Sequence, residues 1–125
     1  MDTKNKKKIL LVEDDNALAD VYMNRLTGEG FEVRRVDNGE DALANAVEFH
    51  PDLIVLDVMM PKISGFEVLD ILKNTPATTQ IKVMMLTALG QESDQKKAKD
   101  LGADDYLVKS QIATNEVIKR IESLV

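Results

Sequence analysis

The chain has 125 residues, 44% hydrophobic and 30% charged, which is enough for one compact domain with its own core. It contains no cysteine, so a disulfide framework and a thiolate zinc site are excluded. The formal net charge of -6 argues against nucleic acid or an anionic membrane as a partner, and the lack of any long apolar stretch predicts a cytoplasmic protein.

The chain begins with a basic segment and then alternates between strand-like and helix-like patterns. Residues 1–8 include four lysines and are predicted to be a solvated leader before a domain spanning residues 9–125. Short apolar runs predict strands, and apolar residues at helical spacing predict helices. The first half has, in order, a strand at Ile9–Val12, a helix at Asn16–Thr27, a strand at Phe31–Val36 and a helix at Gly39–Phe49, with Val47 facing inward.

The second half continues the alternation. Ser64 and Glu67 form a capping-box pattern that predicts the start of the third helix, and Thr114 is predicted to cap the fifth. The other predicted elements are strands at Leu53–Asp57, Val83–Thr87 and Tyr106–Val108 and a fourth helix at Gln91–Leu101. This order predicts an α/β fold, a doubly wound parallel sheet of five strands with five helices, and no second domain.

The fourth helix is polar on nearly every face. Only Ala98 and Leu101 offer apolar anchors, so packing is expected to hold this helix weakly. Two interpretations stay open. It is either a well-solvated surface helix or an element that shifts and binds a partner.

Polar side chains follow four of the predicted strands at their C-terminal ends. Glu13 and Asp14 follow the first strand, Asp57 ends the third, Thr87 ends the fourth and Lys109 follows the fifth. Ligand crevices of open α/β sheets lie at this edge, so these groups are expected to converge. Clustered carboxylates need a cation, and Mg²⁺ suits a few carboxylates plus water. With the ammonium and the hydroxyl, the set is suited to phosphoryl transfer onto Asp57.

The chain resembles the receiver domain of bacterial response regulators, of the stand-alone, chemotaxis-regulator type, over nearly its full length. The resemblance rests on four motifs in order, Val12–Asp15, Leu56–Gly65, Leu86–Ala88 and Gly102–Lys109. It implies the flavodoxin-like strand order 2-1-3-4-5. It also implies a phosphorelay switch in a two-component signalling system, with self-catalysed phosphotransfer and slow autodephosphorylation rather than conventional enzyme turnover.

The resemblance implies a role for each residue of the site. Asp57 is the expected phosphoacceptor, attacking a phosphohistidine. Asp14, Asp57 and the backbone carbonyl of Met59 are expected to bind Mg²⁺ directly, and Glu13 through water. Lys109 is expected to contact Asp57 and then the phosphoryl group.

The resemblance also implies how phosphorylation is reported. Thr87 and Tyr106 are the expected switch residues, and the surface formed by the fourth helix, fifth strand and fifth helix is expected to meet the target. The implied partners are a sensor histidine kinase or histidine phosphotransfer protein and an unknown downstream protein, without nucleic acid or membrane. The chain is expected to be a monomer or a phosphorylation-dependent dimer.

The sequence departs from the family pattern at two places. Ser110 follows the lysine where the family usually has a proline after a cis peptide bond, so the geometry of the Lys109–Ser110 bond is open. Met59 and Leu89 flank the expected line of water attack on the acyl phosphate. Apolar side chains there cannot orient a water molecule, so slow dephosphorylation is predicted.

Two other functions compete with the phosphorelay switch. A degenerate receiver would only bind partners, an alternative that Ser110 keeps open. An aspartyl phosphatase similar to the haloacid-dehalogenase family is less favoured, because that family needs a second acid where this chain has Met59, and a cap for which the chain has no room.

Overall fold

The first strand extends one residue beyond its predicted start. The computed structural model describes residues 6–125, so the first five residues of the predicted leader lie outside the described part. Lys8 opens the strand, and its backbone N–H donates to Asp52 Oδ2 at 2.8 Å. Its ammonium donates to the carbonyl oxygen of Phe49 at 3.2 Å. Both the backbone and the side chain of Lys8 are therefore hydrogen-bonded to the segment that spans residues 49–52.

Strands and helices alternate through residues 6–125. The strands are β1 (Lys8–Val12), β2 (Glu32–Val36), β3 (Leu53–Leu56), β4 (Lys82–Thr87) and β5 (Asp105–Val108). The helices are α1 (Asn16–Gly28), α2 (Gly39–Phe49), α3 (Gly65–Lys73), α4 (Glu92–Asp100) and α5 (Thr114–Leu124). All neighbouring strands pair in parallel in the order β2-β1-β3-β4-β5, which confirms the predicted doubly wound α/β fold.

The central strands are covered on both faces, as their unbroken apolar sequences predict. One apolar layer packs the sheet against α2 and α3 and includes Ala98 of α4, and the other packs it against α1 and α5. Leu10 pairs with Ile54 and belongs to the first layer, while Leu11 pairs with Val55 and belongs to the second. This alternation follows from the two-residue period of a strand and fixes the register of β1 against β3.

The predicted start of α3 is confirmed, whereas two other details are wrong. Ser64 Oγ accepts from the Glu67 amide at 3.3 Å, and Glu67 Oε1 accepts from the Ser64 amide at 3.4 Å. The N-cap of α5 is Ala113 rather than Thr114, and no side chain caps it. Val47 is 46% exposed, because α2 buries a different stripe, formed by Gly39, Ala42, Ala46 and Phe49.

The polar fourth helix has little apolar anchoring, as predicted. Within α4 only Ala98 is buried, and Leu101 at its C-terminal end is half-buried. The ammonium of Lys97 lies 4.7 Å from the centroid of the Phe66 ring on α3. Among the helices described, none has the length and apolar character needed to cross a membrane.

Candidate functional site

The paired strands β1 and β3 bring the three acids to one edge of the sheet. Val12 pairs with Leu56, so the residues that follow them are neighbours, and the Asp57 amide donates to the Val12 carbonyl oxygen at 3.2 Å. Glu13, Asp14 and Asp57 each offer a carboxylate oxygen, and these oxygens lie within 4.8 Å of one another. Glu13 and Asp57 are buried, and Asp14 is exposed.

Lys109 also contacts this acidic cluster. It directly follows β5, which lies two strands away from β3 at the edge of the sheet. Its ammonium lies 2.7 Å from Glu13 Oε1 and 2.8 Å from Asp57 Oδ2. The Lys109 side chain is 22% exposed, while the side chains of Glu13 and Asp57 are 3% and 5% exposed. A partly buried ammonium is therefore shared between two buried carboxylates, and their attraction is screened less by solvent than it would be at the surface.

Burial dominates the electrostatics of the cluster. It raises the pKa of the Glu13 carboxyl, although the hydrogen bonds from Lys109 and the Asp15 amide oppose the shift. The charge of Asp57 adds a smaller rise, so like-charge repulsion is the lesser cause. Burial also acts to lower the pKa of Lys109, but the hydrogen bonds to Asp57 and Glu13 and the charges of these two acids together outweigh burial and leave that pKa raised. The lysine is therefore an ammonium at neutral pH.

A close approach of α3 holds the backbone around Asp57. Asp57 Oδ1 accepts a hydrogen bond from the Met59 amide at 3.2 Å. The Gly65 amide donates to the Val58 carbonyl oxygen at 2.8 Å. A Cβ at Gly65 would lie 2.1 Å from the backbone oxygen of Asp57, so only glycine fits there. The sequence indicated Gly65 only as part of a family motif and carried no signal for this contact.

The structure links Thr87 and Tyr106 through one loop residue. Thr87 is fully buried at the end of β4, and its hydroxyl oxygen accepts from the Leu89 amide at 3.3 Å. The Tyr106 phenol donates to the carbonyl oxygen of Leu89 at 2.7 Å. Both predicted switch residues therefore hold the loop that leads into α4.

The two apolar residues predicted to flank the reaction line differ in exposure. Met59 is 56% exposed, and Leu89 is half-buried. Neither side chain carries a group that can donate to, or strongly accept from, a water molecule. Their effect on phosphoryl lifetime stays a prediction.

The peptide bond between Lys109 and Ser110 is trans, since the described residues contain no cis peptide bond. The chain enters a short 3₁₀ helix at Lys109–Gln111 directly after β5. Lys109 nevertheless contacts both Asp57 and Glu13, so a trans bond before serine is compatible with the lysine reaching the acids.

Sequence reasoning missed one residue beside the cluster. Arg35 on β2 donates from Nε and from one terminal nitrogen to the backbone oxygen of Glu13, at 2.9 and 2.6 Å. The sequence offered no signal for this contact, because a charged side chain on an edge strand is ordinarily expected to point into solvent.

The chain is similar to proteins of one family across nearly its whole length. The family model described as the response regulator receiver domain matches residues 9–122. A DNA-binding dual master transcriptional regulator, RpaA of Synechocystis, is 41% identical over 94% of this chain and 48% of its own length. The phosphate regulon transcriptional regulatory protein PhoB of Rhizobium meliloti is 39% identical over 94% of this chain and 51% of its own length.

Solved structures show the same likeness. The crystal structure of a putative response regulator from Chloroflexus aurantiacus superposes with a TM-score of 0.88 at 32% identity. That match covers 96% of this chain and 98% of the other. By contrast, the chain spans about half the length of the curated relatives that it matches.

These relatives overturn the prediction that nucleic acid is excluded as a partner. RpaA is described as DNA-binding, and this chain corresponds to only 48% of its length. The charge of -6 belongs to the part of such a protein that matches this chain. It carries no information about a linked domain, so the inference from net charge was wrong.

Proposed function

The chain belongs to the response regulator receiver domain family, and we propose that it is switched by phosphorylation of Asp57. The observation that carries the proposal is the environment of this carboxylate. Asp57 is buried, lies within 4.8 Å of two other carboxylates and is hydrogen-bonded to Lys109 at 2.8 Å. A structural acid at the end of a strand would not need two more acids and a cation around it.

The proposed reaction transfers a phosphoryl group from a histidine of a sensor kinase or phosphotransfer protein. A carboxylate oxygen of Asp57 attacks phosphorus, an O–P bond forms, and the P–N bond to the imidazole breaks. The electron pair of the broken bond stays on the imidazole nitrogen. Lys109 already touches Asp57, so its ammonium is positioned to stabilise the negative charge that arrives on the phosphoryl oxygens.

The acidic cluster fits Mg²⁺. Its three carboxylates bring hard oxygen ligands within 4.8 Å of one another. Within residues 6–125 a single ammonium, that of Lys109, contacts them, which leaves negative charge in excess. We assign Asp14, Asp57 and the Met59 carbonyl as direct ligands and Glu13 as a ligand through water. When bound, the ion would stabilise charge on the phosphoryl oxygens during transfer.

The proposed output begins at the loop after β4. A phosphoryl group on Asp57 would accept a hydrogen bond from the Thr87 hydroxyl and draw it inward, away from the Leu89 amide that now donates to its oxygen. Movement of Thr87 would release one of the two hydrogen bonds that hold Leu89, and Tyr106 makes the other. The weakly anchored α4 follows this loop, so the α4–β5–α5 surface is the proposed reporting surface.

The relatives support a proposal about what the switch controls. RpaA and PhoB are named as transcriptional regulators, and this chain matches about half of each. We propose that the receiver acts through a linked DNA-binding domain. A cytoplasmic location is part of the proposal, because ATP, the source of a kinase's phosphoryl group, is found there.

One experiment tests the proposed switch. The protein is incubated with Mg²⁺ and acetyl phosphate, and its intact mass is measured beside that of Asp57→Asn. A single phosphoryl adduct that is absent from the variant is expected. Consumption of the donor without any adduct would indicate a phosphatase instead, and no reaction at all would indicate a degenerate receiver.

A further inference from the structure

Arg35 holds the backbone at the start of the acidic cluster. This half-buried side chain on β2 donates two hydrogen bonds, at 2.9 and 2.6 Å, to one acceptor, the backbone oxygen of Glu13. Charge-assisted hydrogen bonds of this kind are about twice as strong as neutral ones, and the planar guanidinium adds directional specificity. The guanidinium thus fixes the direction of a single carbonyl group.

The other polar groups of Glu13 are fixed as well. Its amide donates to the Val36 carbonyl oxygen at 3.1 Å, which extends the pairing of β1 with β2 by one residue. Its carboxylate accepts from the Asp15 amide at 3.1 Å and from Lys109 at 2.7 Å. Strand β2 therefore holds both backbone groups of Glu13, one through its main chain and one through Arg35.

We propose that Arg35 is a positioning residue for the Mg²⁺ site. The carbonyl that it holds belongs to the peptide group between Glu13 and Asp14, so rotation of this group would move the Asp14 carboxylate relative to Asp57. Groups that do not bind the metal themselves, but hydrogen-bond to the ligating residues and orient them, contribute strongly to metal affinity. This inference rests on the proposed function, because it takes the cluster of Glu13, Asp14 and Asp57 to be a Mg²⁺ site.

Charge and positioning predict opposite effects for the loss of Arg35. A cation near the cluster repels Mg²⁺, so removing the charge alone would tighten Mg²⁺ binding. Removing the two hydrogen bonds frees the Glu13 carbonyl to turn toward water. The carboxylates of Asp14 and Asp57 would then no longer be held close together, and Mg²⁺ binding would weaken. The sign of the change in affinity therefore separates the two effects.

Arg34 provides a matched control on the same strand. It pairs with Leu10, whereas Arg35 pairs with Leu11, so the two arginines point to opposite faces of the sheet. Arg34 donates to Asn45 Oδ1 at 2.9 Å and lies 4.4 Å from the centroid of the Phe49 ring. Replacing Arg34 removes the same charge from the same strand without touching the Glu13 carbonyl.

The test compares Arg35→Gln, Arg35→Lys and Arg34→Gln with the wild-type chain. Mg²⁺ is titrated into each unphosphorylated protein by isothermal calorimetry, well below the melting temperature of the metal-free form. We expect roughly tenfold weaker binding by Arg35→Gln, the lower end of the usual range for such partners. Arg35→Lys should fall between this variant and wild type, because it keeps a long, positively charged donor but not the two-pronged guanidinium. Arg34→Gln should bind as wild type does.

Each other outcome counts against the proposal. Unchanged or tighter binding by Arg35→Gln and Arg35→Lys would overturn the positioning role while leaving the Mg²⁺ site intact. Equal weakening by Arg34→Gln would attribute the effect to a general loosening of β2 and would also overturn it. No binding of Mg²⁺ by the wild-type chain would overturn the proposed metal site itself, and the inference with it.

Discussion

The Tyr106 phenol and the Leu89 backbone are joined by a hydrogen bond of 2.7 Å, in which the phenol donates to the carbonyl oxygen. The amide of Leu89 donates in turn to Thr87 Oγ1 at 3.3 Å. One residue of the β4–α4 loop is therefore held on its amide by β4 and on its carbonyl by β5. The loop is expected to loosen when either contact is lost.

Replacing Tyr106 by Phe removes one of these contacts and keeps the ring. We expect a loss of about 1 kcal/mol in the free energy of unfolding, the usual contribution of one hydrogen bond. The local effect should be larger than the global one, and amide hydrogen exchange should accelerate at Leu89 and Gly90 but not at Leu86 in β4. Equal protection at Leu89 in both proteins would contradict the role of the phenol.

The same phenol predicts a dependence of stability on alkaline pH. Burial, with smaller contributions from the charges of Asp94 and Asp57, raises the pKa of Tyr106 to about 12 from 10.0. The fold favours the neutral phenol, so this stabilisation is complete below pH 10 and is lost as pH rises toward 12. Tyr106→Phe should therefore lose less stability than wild type between these two values.

The comparison of wild type with Tyr106→Phe is needed because deprotonation of Lys109, whose pKa is raised, also destabilises the fold in the alkaline range. The difference between the two proteins isolates the tyrosine. Absorbance of tyrosinate provides the second measurement, since Tyr22 is the other tyrosine of the chain. Identical stability curves for both proteins would show that Tyr106 does not titrate as described.

Replacing Lys109 by Met leaves two buried carboxylates without their ammonium. We expect a loss of about 1–3 kcal/mol, less than for a fully buried pair because the lysine is partly exposed. Mg²⁺ should restore part of this loss, and it should also raise the melting temperature of the wild-type protein. Thermal unfolding with Mg²⁺ and with EDTA measures both effects.

Lys119→Met is the control for this experiment. Lys119 pairs with Glu116 at 3.7 Å on the exposed face of α5, where the two side chains are 72% and 59% exposed. Its replacement should change stability little, with or without Mg²⁺. Equal melting of wild type with and without the metal would argue against the acidic cluster as its site.

Gly65→Ala tests the close approach of α3 to Asp57. The new methyl group would lie 2.1 Å from a backbone oxygen, and backbone cannot rotate away as a flexible side chain can. We expect a loss of about 3 kcal/mol or more and reduced phosphorylation of Asp57. Gly28→Ala is the matched control, since nothing lies within 4 Å of the position that its methyl group would take, and it should be neutral or slightly stabilising.

Met59→Asn tests the predicted slow loss of the phosphoryl group. The wild-type adduct should persist for tens of minutes or longer, because Met59 and Leu89 cannot orient an attacking water. The asparagine amide can hydrogen-bond to such a water, so hydrolysis should be severalfold faster. The measurement follows the decay of the adduct by intact mass, and a wild-type lifetime of seconds would refute the explanation.

The sequence predicted the sheet and the convergence of Glu13, Asp14 and Asp57 for the same reason. Alternating strand and helix patterns predict a parallel sheet, and parallel strands end at a common edge. Three acids that follow two such strands can then be expected to meet without any knowledge of side-chain geometry.

Other features depended on packing that has no sequence pattern. Thr114 resembles an N-cap, yet the cap position falls one residue earlier, at Ala113. Val47 fits the apolar periodicity of α2, but the helix is anchored through Ala42, Ala46 and Phe49, and Val47 lies outside this buried stripe. The contact of Arg35 depends on the register of β2 and on a backbone acceptor, neither of which a residue pattern encodes.

The position of β2 at the edge of the sheet has a consequence for solubility. An edge strand exposes unpaired backbone groups that can pair with another chain and begin aggregation. Arg34 and Arg35 place positive charge on both faces of this strand, and each is held by partners within its own chain. A second β2 strand added in register would bring like charges together. We therefore expect the two arginines to oppose edge-to-edge association at high concentration, and substitution of both by neutral residues to increase aggregation.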